Sequence, residues 1–199
     1  IEGTPDEAAV LFVNLEKEVA DIQVALKGAR DIVAEAVSER PESRQLVRDA
    51  LMNQGVLTSV VTDEFKEKRS RFEQYYTFSE PVVDIPSHRF LAIRRGEREG
   101  ALRVTVELDA EPLKSRLLTI MDWVKGSKFS GQLIQAVDDA YGRLLTPTLE
   151  TDIRAEVKMK SDRAAVEIFA SNMRDLLLAA PFGARGVIGI DPGLRTGSK

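Results

Sequence analysis

The sequence predicts a mainly α fold: a multi-helix scaffold with a long spine helix and a small two-stranded β element. Three observations predict it. Aromatic residues make up only 6% of the 199 residues, while Ala and Leu are common, a balance that favours helix over sheet. The charged fraction is 30%, which is high for one compact core and typical of solvated helix faces. Apolar residues recur at helical spacing through most of the chain, and the strand signals are confined to two short stretches. A hydrophobic content of 43% is enough for one sizeable domain or two small ones.

The elements follow in order. Thr4-Pro5-Asp6-Glu7 reads as a capping box, with Thr at the N-cap, Pro at the first helical position and Glu at N3. A short helix follows and breaks near Asn14. Val19, Ile22, Leu26, Ala29, Val33 and Val37 then mark an amphipathic helix from about Glu16 to Ser38. Pro41 opens the next helix and Gly55 closes it. Val56 to Val61 is β-branched and reads as a strand. Leu102, Val104, Val106 and Leu108 alternate with Arg103, Thr105 and Glu107, so Ala101 to Leu108 is a second strand with one buried face. The two strands are placed to pair, with helices covering their apolar face. Between them Phe65, Phe72 and Tyr76 mark a helix face, Pro81 and Pro86 mark an extended linker, and Ser87 caps a short helix ending at Gly96. In the second half, helices are expected over about Glu111–Lys125 and Ser130–Leu145. Thr148 begins the longest pattern, Leu149, Ile153, Val157, Ala164, Ile168, Met173, Leu176, Leu177 and Ala180. A helix of ~33 residues would reach ~50 Å, the length of a spine linking several units.

Composition also excludes. The chain has no cysteine, so disulfides and thiolate metal sites are ruled out, and a reducing, cytoplasmic home fits. No stretch approaches the ~18 consecutive apolar residues of a membrane span. The first residue is Ile, with no signal sequence behind it, and the start reads as a processed or cut end. The net charge is −4, so the chain as a whole is not drawn to nucleic acid. Any such contact needs a local patch or parts of a larger parent.

The candidate patch is Pro86 to Gly100, which carries Arg89, Arg94, Arg95 and Arg98 against Glu97 and Glu99. Guanidinium groups suit phosphate because they form two parallel, charge-assisted hydrogen bonds. The competing reading is a solvated helix face whose arginines pair with neighbouring carboxylates. His88, the single histidine, has no second histidine to join it as a metal ligand, and a structural hydrogen bond or an exposed ring is expected. At the C-terminal end, Val187-Ile-Gly-Ile-Asp191-Pro-Gly193 is a β-branched run leading into a turn. A strand that delivers a carboxylate to its own end is how RNase H-type folds begin a two-metal site. Pro192 and Gly193 equally satisfy a plain type II turn. Nothing after Asp191 offers a second carboxylate. Gly193 to Lys199 resembles a phosphate-binding loop only superficially: its glycines are one residue too close and Lys and Ser are reversed.

At these residues the chain resembles the Tex family of transcription accessory proteins. The matching text includes Ala25–Val33, Tyr76–Pro81, Pro86–Gly96, Leu145–Glu150, Asn172–Pro181 and Gly189–Gly197, in order and across nearly all of the chain. The resemblance implies a large, mostly helical bacterial protein that binds nucleic acid and is related to a eukaryotic transcription elongation factor. A helix-turn-helix region would precede this segment. A YqgF-type RNase H-like domain would begin at Gly189–Gly193, followed by helix-hairpin-helix units and an OB-fold RNA-binding domain. That RNase H-like domain is regarded as degenerate, so Asp191 matches the motif position without implying activity. The expected organisation is a helical core over residues 1–184 with a small β insertion, then the first strand and turn of a truncated RNase H-like domain over 185–199. The expected function is a central, non-catalytic scaffold fragment of a cytoplasmic transcription accessory protein, with no cofactor and no metal. Its partners would be RNA or DNA, mostly through parent domains, and the transcription machinery. The alternative is part of a metal-dependent RNase H-like nuclease or resolvase whose remaining carboxylates lie beyond Lys199.

Overall fold

The structure is a computed structural model that describes residues 3–181, 183–190, 192–193 and 197–198. The backbone divides into two compact units, Ile1–Ala164 and Ala165–Lys199. The first unit holds a helical body and a three-stranded antiparallel sheet.

Helix α1 spans Pro5–Val10 and starts as the capping box requires. The Thr4 N–H donates to the Glu7 carboxylate at 2.7 Å, and the Glu7 N–H donates to Thr4 Oγ1 at 3.3 Å. Helix α2 spans Ile22–Glu39, and so begins later than the periodicity from Glu16 suggests. Asp21 decides the start by accepting the Val24 N–H at 2.9 Å. Upstream, Leu15–Lys17 is a single 3-10 turn closed by Glu18 in the left-handed region, φ 60°. Pro41 ends α2 and opens α3, Pro41–Gln54, because its ring cannot continue the preceding helix.

Strand β1, Val56–Val61, lies at the centre of the sheet. On one side it pairs with β2, Thr77–Pro81, and on the other with β3, Leu102–Glu107, so that Val56 faces both Pro81 and Glu107. The sheet therefore has three strands rather than two. The segment between β1 and β2 is also not the helix that Phe65, Phe72 and Tyr76 suggest. It forms two 3-10 turns, Asp63–Phe65 and Glu73–Tyr75. Local side chains out-compete a helix there: the Phe72 N–H donates to Ser70 Oγ at 3.0 Å and the Ser70 N–H to Glu73 Oε1 at 3.2 Å. The Tyr76 hydroxyl then donates to the Lys68 carbonyl at 3.1 Å, and buried Ser59 Oγ donates to the Tyr75 carbonyl at 2.6 Å. These bonds pin the loop onto β1.

Helix α4 spans Ser87–Arg98. Pro86, not Ser87, is its N-cap, and Gly96 lies inside it rather than at its end. Gly96 is there for packing: a Cβ would meet Leu102 Cδ1 at 2.6 Å. Helix α5, Ala110–Ile120, is capped by Asp109 and stops well short of Lys125. The turn beyond it runs through Asp122 and Gly126, both with positive φ.

Helix α6, Ser130–Asp139, does not end at Leu145 as a separate element. It passes through a π turn, Ala140–Leu145, directly into α7, Thr146–Leu177. Within the π turn the Thr146 N–H reaches the Tyr141 carbonyl, five residues back. Pro147 supplies the reason, since its missing N–H and its ring are incompatible with a regular turn onto residue 143, and a widened turn relieves the clash. At 32 residues, α7 is about 48 Å long.

Helix α2 packs against α1, α3 and α6, and α5 packs against α3 and α6. The sheet's inner face, including Leu57, Val104 and Val106, joins Phe90 and Ile93 of α4 in one core. Helix α7 contributes Leu149, Ile153, Val157 and Ser161, a stripe at every fourth residue, and supplies no fully buried residue beyond Ser161. In the second unit Val166, Phe169, Leu176 and Leu177 are exposed. Residues 187–190 take no strand pairing among the described residues, with Val187, Ile188 and Ile190 exposed, and Pro192–Gly193 pairs with Gly197–Ser198.

Candidate nucleic-acid interface

The four candidate arginines all lie on α4 but are put to different uses. Arg89, in its first turn, donates through Nη1 to both Glu80 carboxylate oxygens at 2.6 and 2.7 Å. Its guanidinium sits 5.8 Å from the Phe78 ring, so both partners come from β2. The hydrogen bond to Glu80 holds the Arg89 pKa above its ordinary value. At the other end of the helix Arg94 pairs with Glu97, and Arg95 Nε donates to Glu99 at 3.1 Å. Glu99 also takes Arg71. Partial burial pushes the Glu99 carboxyl up, but the hydrogen bonds from Arg95 and Arg71 outweigh it, and its pKa is lowered. Arg98 is exposed and has no hydrogen bond or ion pair among the described residues.

The centre of this network is a residue that the spacing of the motif does not reveal. Arg154 of α7 pairs with Glu97, lies 3.6 Å from Glu150, and donates to the Val104 carbonyl at 3.3 Å. Glu150 in turn accepts the Val106 N–H at 3.1 Å. Strand β3 is a sheet edge, so its outward backbone groups need partners. Helix α7 supplies them with one carboxylate and one guanidinium. The only trace in the sequence is the Glu150/Arg154 spacing of four on a helix face.

Arg94, Arg95 and Arg98 are brought together with Lys158 of α7 around a cavity of about 530 Å³, which Glu97 and Asp162 also line. Lys158 pairs with Asp162. Four cations thus share the cavity with two carboxylates, and Arg89, at the other end of α4 and tied to β2, does not line it. This is a weakly positive surface, largely neutralised from within. His88 is exposed and makes no hydrogen bond among the described residues. Asp191 lies outside the described residues. Among the described residues no three His, Asp or Glu side chains are grouped to hold a metal, and no helix is long and apolar enough to cross a membrane.

Fold and surface together define a helical scaffold carrying a small sheet, with charge used first for internal ties. A family model described as Tex central region-like matches residues 2–169. The chain belongs to the Tex family. It is 36% identical over 214 residues to protein YhgF of Escherichia coli, covering 98% of this chain and 26% of that protein. It is 32% identical over 211 residues to protein tex of Bordetella pertussis, again with 98% and 26% covered. Similarity extends to the human S1 RNA-binding domain-containing protein 1, 28% identical over 192 residues, covering 90% of this chain and 19% of that protein. The chain therefore spans about a quarter of the length of its bacterial relatives.

Proposed function

We propose that this chain is the central scaffold of a nucleic-acid-binding transcription accessory protein of the cytoplasm, and that it catalyses nothing by itself. Its own contribution to binding is a modest phosphate contact at the end of α4. One observation carries this reading: Arg94, Arg95, Arg98 and Lys158 converge on one cavity, and Arg98 is unpaired among the described residues. An unpaired guanidinium among paired neighbours is the group ready to accept phosphate. The internal ion pairs keep the affinity low, since phosphate has to compete with Glu97, Glu99 and Asp162. The family membership and the RNA-binding name of the human relative support the nucleic-acid reading.

Fluorescence anisotropy of the 199-residue chain with single-stranded RNA and DNA, across a salt series, tests this. Weak binding is expected, and the Arg98→Ala, Lys158→Ala double variant should reduce the slope of log K against log salt by about 1 to 2. Arg94→Ala with Arg95→Ala should flatten it too, whereas Arg89→Ala should leave it alone. An unchanged slope in both double variants removes the patch. Magnesium-dependent cleavage of either strand, lost in Asp191→Asn, would instead favour a nuclease.

A further inference from the structure

A second surface is built from apolar side chains and lies apart from the arginine cluster. Helices α1, α2 and α6 enclose a groove of about 840 Å³, with its wall formed mainly by Ala, Val, Leu, Ile and Phe. Two large side chains on its rim stand in solvent, Phe12 at 69% and Ile32 at 70% exposure. Leu11 and Leu15, close in sequence to Phe12, are also exposed. Contiguous apolar surface of this kind marks an interaction site rather than scattered exposure.

The shape of the groove selects the occupant. On α2 it is lined by Ala25, Gly28 and Ala29, with Ile32 at the rim, a row at three- and four-residue spacing. Such a row forms the shallow furrow into which the ridge of another helix fits. A Cβ added at Gly28 would meet nothing within 4 Å, so the space above this glycine is open. The furrow offers little to orient a small polar ligand: Arg30 Nη1 already donates to Gln132 Oε1 at 2.7 Å. The charged side chains lining the groove are Lys17 and Arg30, and no carboxylate lines it. In a chain of net charge −4, a groove lined by cations alone complements a negatively charged partner.

We propose that this groove receives an amphipathic α-helix of another protein segment, whose apolar face is flanked by Asp and Glu. The apolar face would fill the furrow over Gly28, and the flanking carboxylates would meet Lys17 and Arg30, as in helix-in-groove recognition generally.

The test uses the 199-residue chain and two labelled synthetic peptides of about 18 residues, roughly five helical turns. Both carry the same leucine face at i, i+3, i+4 and i+7, one flanked by Glu and the other by Lys. The Glu-flanked peptide should bind at least ~10-fold more tightly in anisotropy, and the difference should shrink as salt rises. Gly28→Gln should abolish its binding without lowering the melting temperature, because Gln is a better helix former than Gly and the site is open. Ile32→Glu should repel the Glu-flanked peptide and favour the Lys-flanked one. Equal or reversed peptide preference overturns the proposal, as does binding that survives Gly28→Gln. Concentration-dependent self-association in sedimentation, lost in Gly28→Gln, would also overturn it by making a second copy of this chain the occupant.

Discussion

Single residues in this chain do their work by closing gaps between elements. Gly55 joins α3 to β1, and a Cβ there would lie 2.2 Å from the Leu51 carbonyl oxygen and 2.8 Å from Val106 Cγ1. The backbone oxygen cannot move away without breaking the end of α3, where it accepts the Gly55 N–H at 3.1 Å. Gly55→Ala should therefore cost about 1–3 kcal/mol through overpacking, seen as a lower urea midpoint with an unchanged m-value. Arg154 is the polar counterpart. Its side chain is 18% exposed and ties α4, β3 and α7 together, so Arg154→Met leaves Glu97 without one partner and the Val104 carbonyl unpaired. A loss of about 1–3 kcal/mol is expected, against less than about 0.5 kcal/mol for exposed Arg98→Ala. Equal effects in the two variants would remove Arg154 from its central place. The sequence shows that the Arg-rich stretch is unusual. It does not show which arginines are already paired, because Glu80 and Arg71 lie outside the motif and Arg154 lies on a helix some fifty residues further along.

At the scale of elements, caps and prolines place helix starts more reliably than apolar periodicity does. Thr4, Pro41 and Gly55 mark boundaries that the structure keeps. The stretch from Glu16 to Asp21 has helical spacing yet is not α-helix, because the Asp21 cap and the left-handed Glu18 intervene. The π turn before α7 is one element that ion pairs brace. Arg143 Nε donates to Asp139 Oδ1 at 2.9 Å, and Asp31 of α2 lies 3.7 Å from the same guanidinium. The hydrogen bond to Arg143 is the largest influence on Asp139 and holds its carboxyl below the ordinary carboxylate value. The sign follows from that depression. The folded state binds this proton less readily than the unfolded one, so the stabilisation is fully present above the unfolded pKa of ~4 and is lost as pH falls through the lower folded value. Thermal melts from pH 7 down to pH 3 should show stability falling at the acid end. Asp139→Asn should be less stable at pH 7 and flatter in acid, with the difference reduced by salt because the pair is partly exposed. A variant as steep as the parent chain would show that other carboxylates carry the acid response.

At the scale of the molecule, the fully buried side chains among the described residues end at Ser161, although helix α7 runs on to Leu177. Among the described residues, those from 165 onward thus add length and exposed apolar surface and no fully buried residue. A chain ending at Ala164 should melt within about 2–4 °C of the 199-residue chain. It should also keep the groove over Gly28, which Glu-flanked peptide binding would report. A much larger drop would mean that the second unit stabilises the first.

The sequence by itself determined the helical class, the family, most helix starts, the length of the spine helix, and strands β1 and β3. These are encoded locally, in caps, prolines and side-chain periodicity, or in the order of short motifs. Only the tertiary structure decided the third strand, the π turn, the pairing of the arginines and the apolar groove. The physical reason is common to all four. Strand β2 exists because β1 offers it an edge, and the π turn because α6 must pass Pro147 while packed on α2. Arg89 is neutralised from β2 and Glu97 is shared with Arg154 of α7, and the groove needs α6, far along the chain from α1 and α2. What depends on partners brought together by folding is not written in any one stretch of the chain.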